Sequence, residues 1–284
     1  MSSLPLCFLF DNGSLRPAAT LSLRRVAAAL SKKLGFWVRP VSLLHSSAVA
    51  PDALEGCPAE LLEPALKRAL EEGVRSVVLL PLFFGPSAAL TEYVPGRLAA
   101  LLQGFPGVEV RLARCLVGPD DGNDQRIAQA LAAQVRECWK ARGWSATQVV
   151  LVDHGSPQRA VAAVRDALAV RVRQILGQEA GGVHAASMES RAGDEYAFNR
   201  PLLAERLRQP PCDRGQVVVL LQFLSAGRHA GPAGDVASIC AAAEAERPGL
   251  STAMTEPLGE DPRVIAVLAD RFVQALRSPP VMLP

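Results

Sequence analysis

The sequence predicts an α/β protein made by tandem duplication of one four-stranded parallel-sheet unit with helices on both faces. Short apolar runs rich in Val, Leu and Phe alternate with amphipathic stretches of helical period along the chain. Runs such as QVVVLLQF at 216–223 are continuously apolar, the pattern of strands covered by helices on both sides. Motifs also recur at a nearly constant spacing. DNGS at 11–14 answers DHGS at 153–156, VVLLPLFFGPS at 77–87 answers VVVLLQFLSAG at 217–227, and VGPDDG at 117–122 answers LGEDPR at 258–263, with offsets of 142, 140 and 141 residues. Such regularity marks an internal repeat, joined around KARGWSATQ at 140–148, which gives modules at 1–145 and 146–284.

In the first module the apolar runs predict strands at 6–10, 36–44, 74–84 and 108–116, and the amphipathic stretches predict helices at 17–34, 58–72, 89–103 and 123–140. The second module repeats the order, with strands at 147–153, 183–189, 216–224 and 250–256 and helices at 158–176, 200–208, 234–246 and 262–276. In the helix after His154, Val161, Val164, Leu168, Val172 and Ile175 are spaced 3, 4, 4 and 3, so one stripe faces the sheet.

Composition narrows the class. A chain of 284 residues with 49% hydrophobic and 20% charged content is long enough for two cores and is not disordered by composition. A formal net charge of +2 gives no strong field, so neither nucleic acid nor a membrane surface is an expected partner. The apolar start LPLCFLF is short and lacks a preceding Lys or Arg, unlike a signal peptide or spanning helix. Cys7, Cys57, Cys115, Cys138, Cys212 and Cys240 form no CxxC pair, which points to structural thiols in a reduced cytoplasmic protein.

In open parallel α/β sheets the loops leaving the carboxyl ends of the strands form the binding crevice, and a cleft shared by the two units becomes the default site. That rule selects His154 at the end of the first strand of the second module, Glu189 at the end of the second, and His229 just past the third. Small neighbours, Gly155, Ser156, Gly227, Ala230 and Gly231, leave room for a bulky ligand.

The HGS turn after an apolar strand, the ASMESR segment, and the F-L-x-x-G-x-H segment with an aspartate six residues on (Phe223, Leu224, Gly227, His229, Asp235) together resemble the sirohydrochlorin cobalt/iron chelatase family of the type II chelatase superfamily. The resemblance covers essentially the whole second module, and the first resembles a diverged copy. It implies insertion of a divalent metal, Co2+, Fe2+ or Ni2+, into the octacarboxylate macrocycle sirohydrochlorin, on the way to cobalamin or sirohaem. It also implies no ATP, no accessory subunit and no permanently bound cofactor, with His154 and His229 as the catalytic pair and metal ligands.

Insertion must strip water from the cation, hold it near the macrocycle and remove two protons from pyrrole nitrogens. Neutral imidazole suits both tasks, as a ligand for borderline cations and as a base with an unperturbed pKa of about 6.5. Glu189 is expected to complete a weak three-ligand site or to relay protons. Arg159, Arg191 and Arg228 are expected to pair with substrate carboxylates, with Ser156 and Gly227 shaping the same rim.

The first module has lost the pair. Asn12 replaces the first histidine and remains a candidate substrate contact with Ser14 and Ser87; Ala88, Ala89 and Leu90 stand where the second should be; and His45 falls near the register of Glu189 as an auxiliary ligand or an idle loop residue. His184, at the start of its strand, reads as structural. The expected protein is a monomer of two pseudo-symmetric halves. A non-catalytic carrier of metal or tetrapyrrole is the alternative, and hydrolase readings are weaker because no GxSxG elbow is present.

Overall fold

The computed structural model describes residues 4–118 and 124–281, so the PDDG part of the third repeated motif lies outside the described residues. Two four-stranded parallel sheets are present. The first contains β1 (Leu6–Asp11), β2 (Val38–Ser42), β3 (Ser76–Pro81) and β4 (Glu109–Leu112) in the order β2-β1-β3-β4. The second contains β5 (Gln148–Asp153), β6 (Gly182–Ser187), β7 (Gly215–Leu221) and β8 (Leu250–Met254) in the equivalent order β6-β5-β7-β8. The helices are α1 (Pro17–Leu34), α2 (Leu62–Glu71), α3 (Val94–Leu102) and α4 (Arg126–Arg142), then α5 (Arg159–Leu176), α6 (Leu203–Arg206), α7 (Asp235–Glu246) and α8 (Pro262–Arg277).

Alternation along each strand feeds two apolar faces. In the first sheet Phe8, Phe10, Val77 and Leu79 pack with Leu66 of α2 and Leu98 of α3 in one core cluster. In the second, Val150, Val152, Val217 and Val219 pack with Leu203 of α6 and with Val236 and Cys240 of α7. The intervening residues Cys7, Leu9, Val149 and Leu151 are equally buried on the opposite faces, as strands covered on both sides require. Helix starts and stops follow local chemistry: α1 opens with Pro17 in its first turn, carries Lys32 and Lys33 in its last, and ends on Gly35 at φ +79°.

Packing divides the chain differently from the repeat. Residues 1–120 with 262–284 form one compact unit and 121–261 the other. Within the first unit α8 packs against α1, β3 and β4; within the second α4 packs against α5 and β7. The last helix of each repeat is therefore exchanged relative to the modules 1–145 and 146–284.

Two expected helices are shorter than their sequence pattern. The stretch 58–72 becomes helical only at Leu62, because Leu61 forms a parallel bridge with Ser42 and Glu60 O accepts Ser42 N–H at 2.9 Å. Leu202 bridges Ser187 in the same way, which confines the expected helix 200–208 to the single turn of α6. The expected helix 89–103 starts as a π-turn at Ala89–Tyr93 before continuing as α3. Among the described residues no helix is long and apolar enough to cross a membrane, and no disulfide joins any two of the six cysteines.

Candidate active site

In the second sheet the order of connection reverses between the parallel neighbours β5 and β7: the connection from β5 leads to β6 on one side, and the chain then returns to β7 on the other. That switch point is where parallel sheets open a crevice at their carboxyl ends. His154 follows β5 directly and His229 lies in the loop between β7 and α7. Their ring centroids are 4.5 Å apart, tilted by 56°. Glu189 leaves the end of β6, with Oε1 3.4 Å from His154 Nε2. The three residues selected from the sequence are thus brought together, and their side chains are 47%, 62% and 30% exposed for His154, Glu189 and His229.

Each imidazole is oriented through Nδ1. His229 Nδ1 lies 2.6 Å from Asp235 Oδ2, so a proton on Nδ1 is donated to that carboxylate and Nε2 is left as the acceptor. Asp235 is itself placed by the closed loop: its N–H donates to Arg228 O at 3.2 Å, and Val236 N–H to His229 O at 3.1 Å. His154 Nδ1 lies 3.1 Å from Gly155 O, an arrangement that turns Nε2 toward Glu189 at the rim. Among the described residues no group of three or more His, Cys, Asp or Glu is gathered so as to hold a metal ion. Glu189 sits beside His154 as a charge partner; the three-ligand site expected with it is not assembled.

The turn that carries His154 needs glycine next to it. Gly155 has φ +94°, and a Cβ there would lie 2.0 Å from Glu189 O. The same holds for Gly234, where a Cβ would meet His229 O at 2.6 Å. Both histidine loops are pressed against neighbouring backbone by residues without side chains. Beneath the turn, Asp153 Oδ1 accepts from Ser187 Oγ at 2.5 Å, and burial pushes its carboxyl pKa upward. Asn199, buried, clamps the other shoulder: its Oδ1 accepts Ser156 N–H at 3.1 Å and its Nδ2 donates to Ser156 O at 2.9 Å. Arg165, only 2% exposed, donates to Ser187 Oγ and to the carbonyls of Phe198 and Asn199.

The expected substrate-binding residues lie around this rim with different surroundings. The Arg159 guanidinium carbon is 4.8 Å from the Phe198 ring centroid, and that of Arg191 is 5.9 Å from the Tyr196 centroid, so both cations are stacked yet exposed. Arg228 is exposed with Nε 3.7 Å from Asp235 Oδ2. Ser156 Oγ accepts Gln158 N–H at 3.0 Å at the approach to α5, and Gly227 N–H donates to Ala230 O at 2.9 Å, closing the histidine loop.

The first unit keeps the scaffold and lacks the histidine pair. Asp11 Oδ1 accepts from Ser42 Oγ at 2.6 Å and from Gly13 N–H at 3.0 Å, and burial pushes its pKa up to about 6. Asn12 is exposed, and its concavity is lined by Leu44, Ala88, Ala89 and Tyr93. Leu44, whose N–H donates to Asn12 O as Glu189 N–H donates to His154 O, is the counterpart of Glu189. His45 is therefore one position beyond the expected register, exposed, with φ +65°. His184 is held by Gln148, its Nε2 3.0 Å from Gln148 Oε1, and burial lowers its pKa. Asn199 and Arg165 were not selected by the sequence reading, and Asp235 was noted there only as part of a spacing.

Comparisons with known proteins agree with this fold. The CbiX family model matches the chain twice, over residues 7–138 and 148–275. In structure the chain is similar to SirB from Bacillus subtilis with Fe3+, at TM-score 0.67 and 13% identity, with 96% of each chain covered. It is also similar to the sirohydrochlorin chelatase SirB from Bacillus subtilis subspecies spizizenii in complex with cobalt, at TM-score 0.63 and 14% identity, again over 96% of each chain. At such identities the likeness is one of fold. In sequence it is 36% identical over 101 residues to a ferrochelatase of Stenotrophomonas maltophilia (strain R551-3), a segment that spans 34% of this chain and 30% of that protein. With both halves matched by one family model and both sheets sharing one strand order, the chain belongs to the CbiX family, the sirohydrochlorin chelatase family its motifs resemble, in a two-copy form.

Proposed function

We propose that the protein inserts a divalent metal, cobalt or iron, into sirohydrochlorin, using the rim of the second sheet. The observation that carries this reading is the pair of imidazoles with centroids 4.5 Å apart, each engaged through Nδ1 and each offering Nε2 to an open rim. Membership of the family supports the reaction class, and the SirB structures, one with Fe3+ and one with cobalt, support this class of metal.

The metal is a substrate, so a site with too few donors to retain it is functional: a fully coordinated cation would not leave for the macrocycle. His154 and His229 hold the incoming cation through Nε2 in exchange for water. As the metal enters, two pyrrole N–H protons must depart. His154 Nε2 accepts one of them, and Glu189 at 3.4 Å stabilises the resulting imidazolium and passes the proton to solvent. His229 Nε2 accepts the second, and Asp235, 2.6 Å from Nδ1, keeps that ring oriented and stabilises its imidazolium until the proton passes to solvent. Arg159, Arg191 and Arg228 present guanidinium groups to peripheral carboxylates of the macrocycle.

The test is anaerobic absorbance spectroscopy of the protein with sirohydrochlorin and Co2+, Fe2+ or Ni2+ in turn, against the uncatalysed rate. Turnover with at least one metal is expected. Tight binding of the metallated product without multiple turnovers would instead identify a carrier, and no acceleration with any metal would reject the reading.

A further inference from the structure

We propose that Arg165 is a positioning residue that sets the His154–Glu189 pair from beneath the rim; this rests on the function proposed above. All five of its N–H donors are engaged. Nη1 donates to Ser187 Oγ at 2.5 Å and to Asn199 O at 3.3 Å, Nη2 to Phe198 O at 3.0 Å and to Asp166 Oδ1 at 2.7 Å, and Nε to Asp166 Oδ1 at 2.9 Å. Through one intermediary this guanidinium reaches both shoulders of the histidine turn. Ser187 passes the contact to Asp153, the residue before His154, and Asn199 passes it to Ser156, two residues after. Ser187 is also the last residue of β6, two positions before Glu189. A third arm reaches the backbone of Phe198, the ring under Arg159.

The first unit shows what the scaffold needs without chemistry. Its matching helix α1 starts 142 residues earlier than α5, as Asp11 precedes Asp153, so the position of Arg165 is taken by Leu23, buried to the same 2% exposure. There Ser42 Oγ donates to Asp11 and Ser46 Oγ to Ser42, so hydroxyls join the strand ends where the second unit adds the guanidinium. A buried guanidinium is thus present under the rim that carries the histidine pair and replaced by a leucine under the rim where Asn12 stands in place of the first of them. A cation in an apolar face is costly to bury unless it is fully paired; here Asp166 of the same helix takes two of the donors, and the other three lead to Ser187, Phe198 and Asn199 beside the rim. The planar fork also cannot be reproduced by an ammonium with three donors.

The experiment uses the full chain labelled with 15N-histidine, whose four histidines give four sets of ring signals. Arg165→Lys is expected to shift or broaden the His154 signals and leave those of His45 unchanged. It should also lower kcat for insertion by about 10–100-fold, with KM for sirohydrochlorin unchanged. Lost stability alone would reduce the folded fraction and leave the signals of folded molecules in place. Should Arg165→Lys fail to fold, Asn199→Ala, which removes the clamp on Ser156 and the longer 3.5 Å contact to Ser190 Oγ, is expected to move the same His154 signals. Unmoved His154 signals in a folded variant, or a wild-type kcat in Arg165→Lys, would overturn the proposal. If the wild-type protein inserts none of the three metals, the functional reading fails, and the ring signals still decide whether Arg165 sets the turn.

Discussion

His154, His229 and Glu189 could be selected from the sequence because each sits where a strand pattern ends, and strand ends of a parallel sheet converge on one rim. Arg165 could not. It lies on the buried face of α5 between Val164 and Leu168, where a reading by apolar spacing passes over a charged residue, and its worth depends on partners 22 to 34 positions away. Asp235 was visible only as a spacing until its carboxylate was found 2.6 Å from His229 Nδ1. At this scale the expectation is that His154→Ala and His229→Ala each lower metal insertion by about 100-fold or more while leaving thermal unfolding nearly unchanged, since both side chains are at an open rim. Glu189→Gln should slow the reaction less, because it removes a charge partner and not a ligand. Asn12→Ala should cost much less activity than His154→Ala, because an amide neither takes a proton near neutral pH nor ligates a borderline cation well. Parallel anaerobic assays of the four variants check this, and an Asn12→Ala protein that is folded yet as inactive as His154→Ala would give the first unit a share in the chemistry.

Element by element, the strands and long helices follow their apolar patterns, whereas the short segments after β2 and β6 do not. Leu61 and Leu202 look helical by neighbourhood, but a parallel bridge to the end of the adjacent strand holds each extended. These strand ends are where the two copies diverge energetically. In the second copy Arg165 Nη1 lies 3.8 Å from Asp153 Oδ1; in the first, Leu23 offers Asp11 no charge. Burial accordingly raises the Asp11 pKa to about 6, above the ordinary aspartate value of about 3.9. A carboxyl group with a raised folded-state pKa binds more protons folded than unfolded between these values. Stability should therefore fall as pH rises from about 4 to about 6 and then level off. Asp11→Asn, which keeps an oxygen to accept from Ser42 and Gly13, should remove that slope and stabilise the protein at pH 7 by an amount on the order of 1 kcal/mol. Denaturant unfolding at pH 4, 5, 6 and 7 for both proteins measures it, and identical slopes would show that Asp11 ionises in the fold without penalty.

For the whole molecule, motif spacing made the duplication legible but could not reveal which helix packs on which sheet. Periodicity identifies an apolar face and is silent on its destination. The repeat divides the chain near 145; the compact units are 1–120 with 262–284, and 121–261. In the first unit α8 buries Val264, Val267, Leu268 and Phe272, and its Arg271 donates to Cys115 O and Leu116 O at 2.9 and 3.0 Å. At about 1.5–3 kcal/mol for each large apolar side chain, losing that helix removes as much as the whole net stability of a typical domain, about 5–15 kcal/mol. In the second unit α4 buries Ile127, Leu131, Val135 and Trp139, whose Nε1–H donates to Thr147 Oγ1 at 2.8 Å. A fragment cut by the repeat, 146–284, therefore lacks α4 and carries α8 without the surface it covers. A fragment cut by the packing, 121–261, keeps the second sheet with α4, α5, α6 and α7. We expect 121–261 to unfold in one cooperative thermal transition by circular dichroism and 146–284 to show a broad one with exposed apolar surface. Equal cooperativity in the two fragments would mean that the exchanged helices contribute little, and that the sequence repeat is also the folding unit.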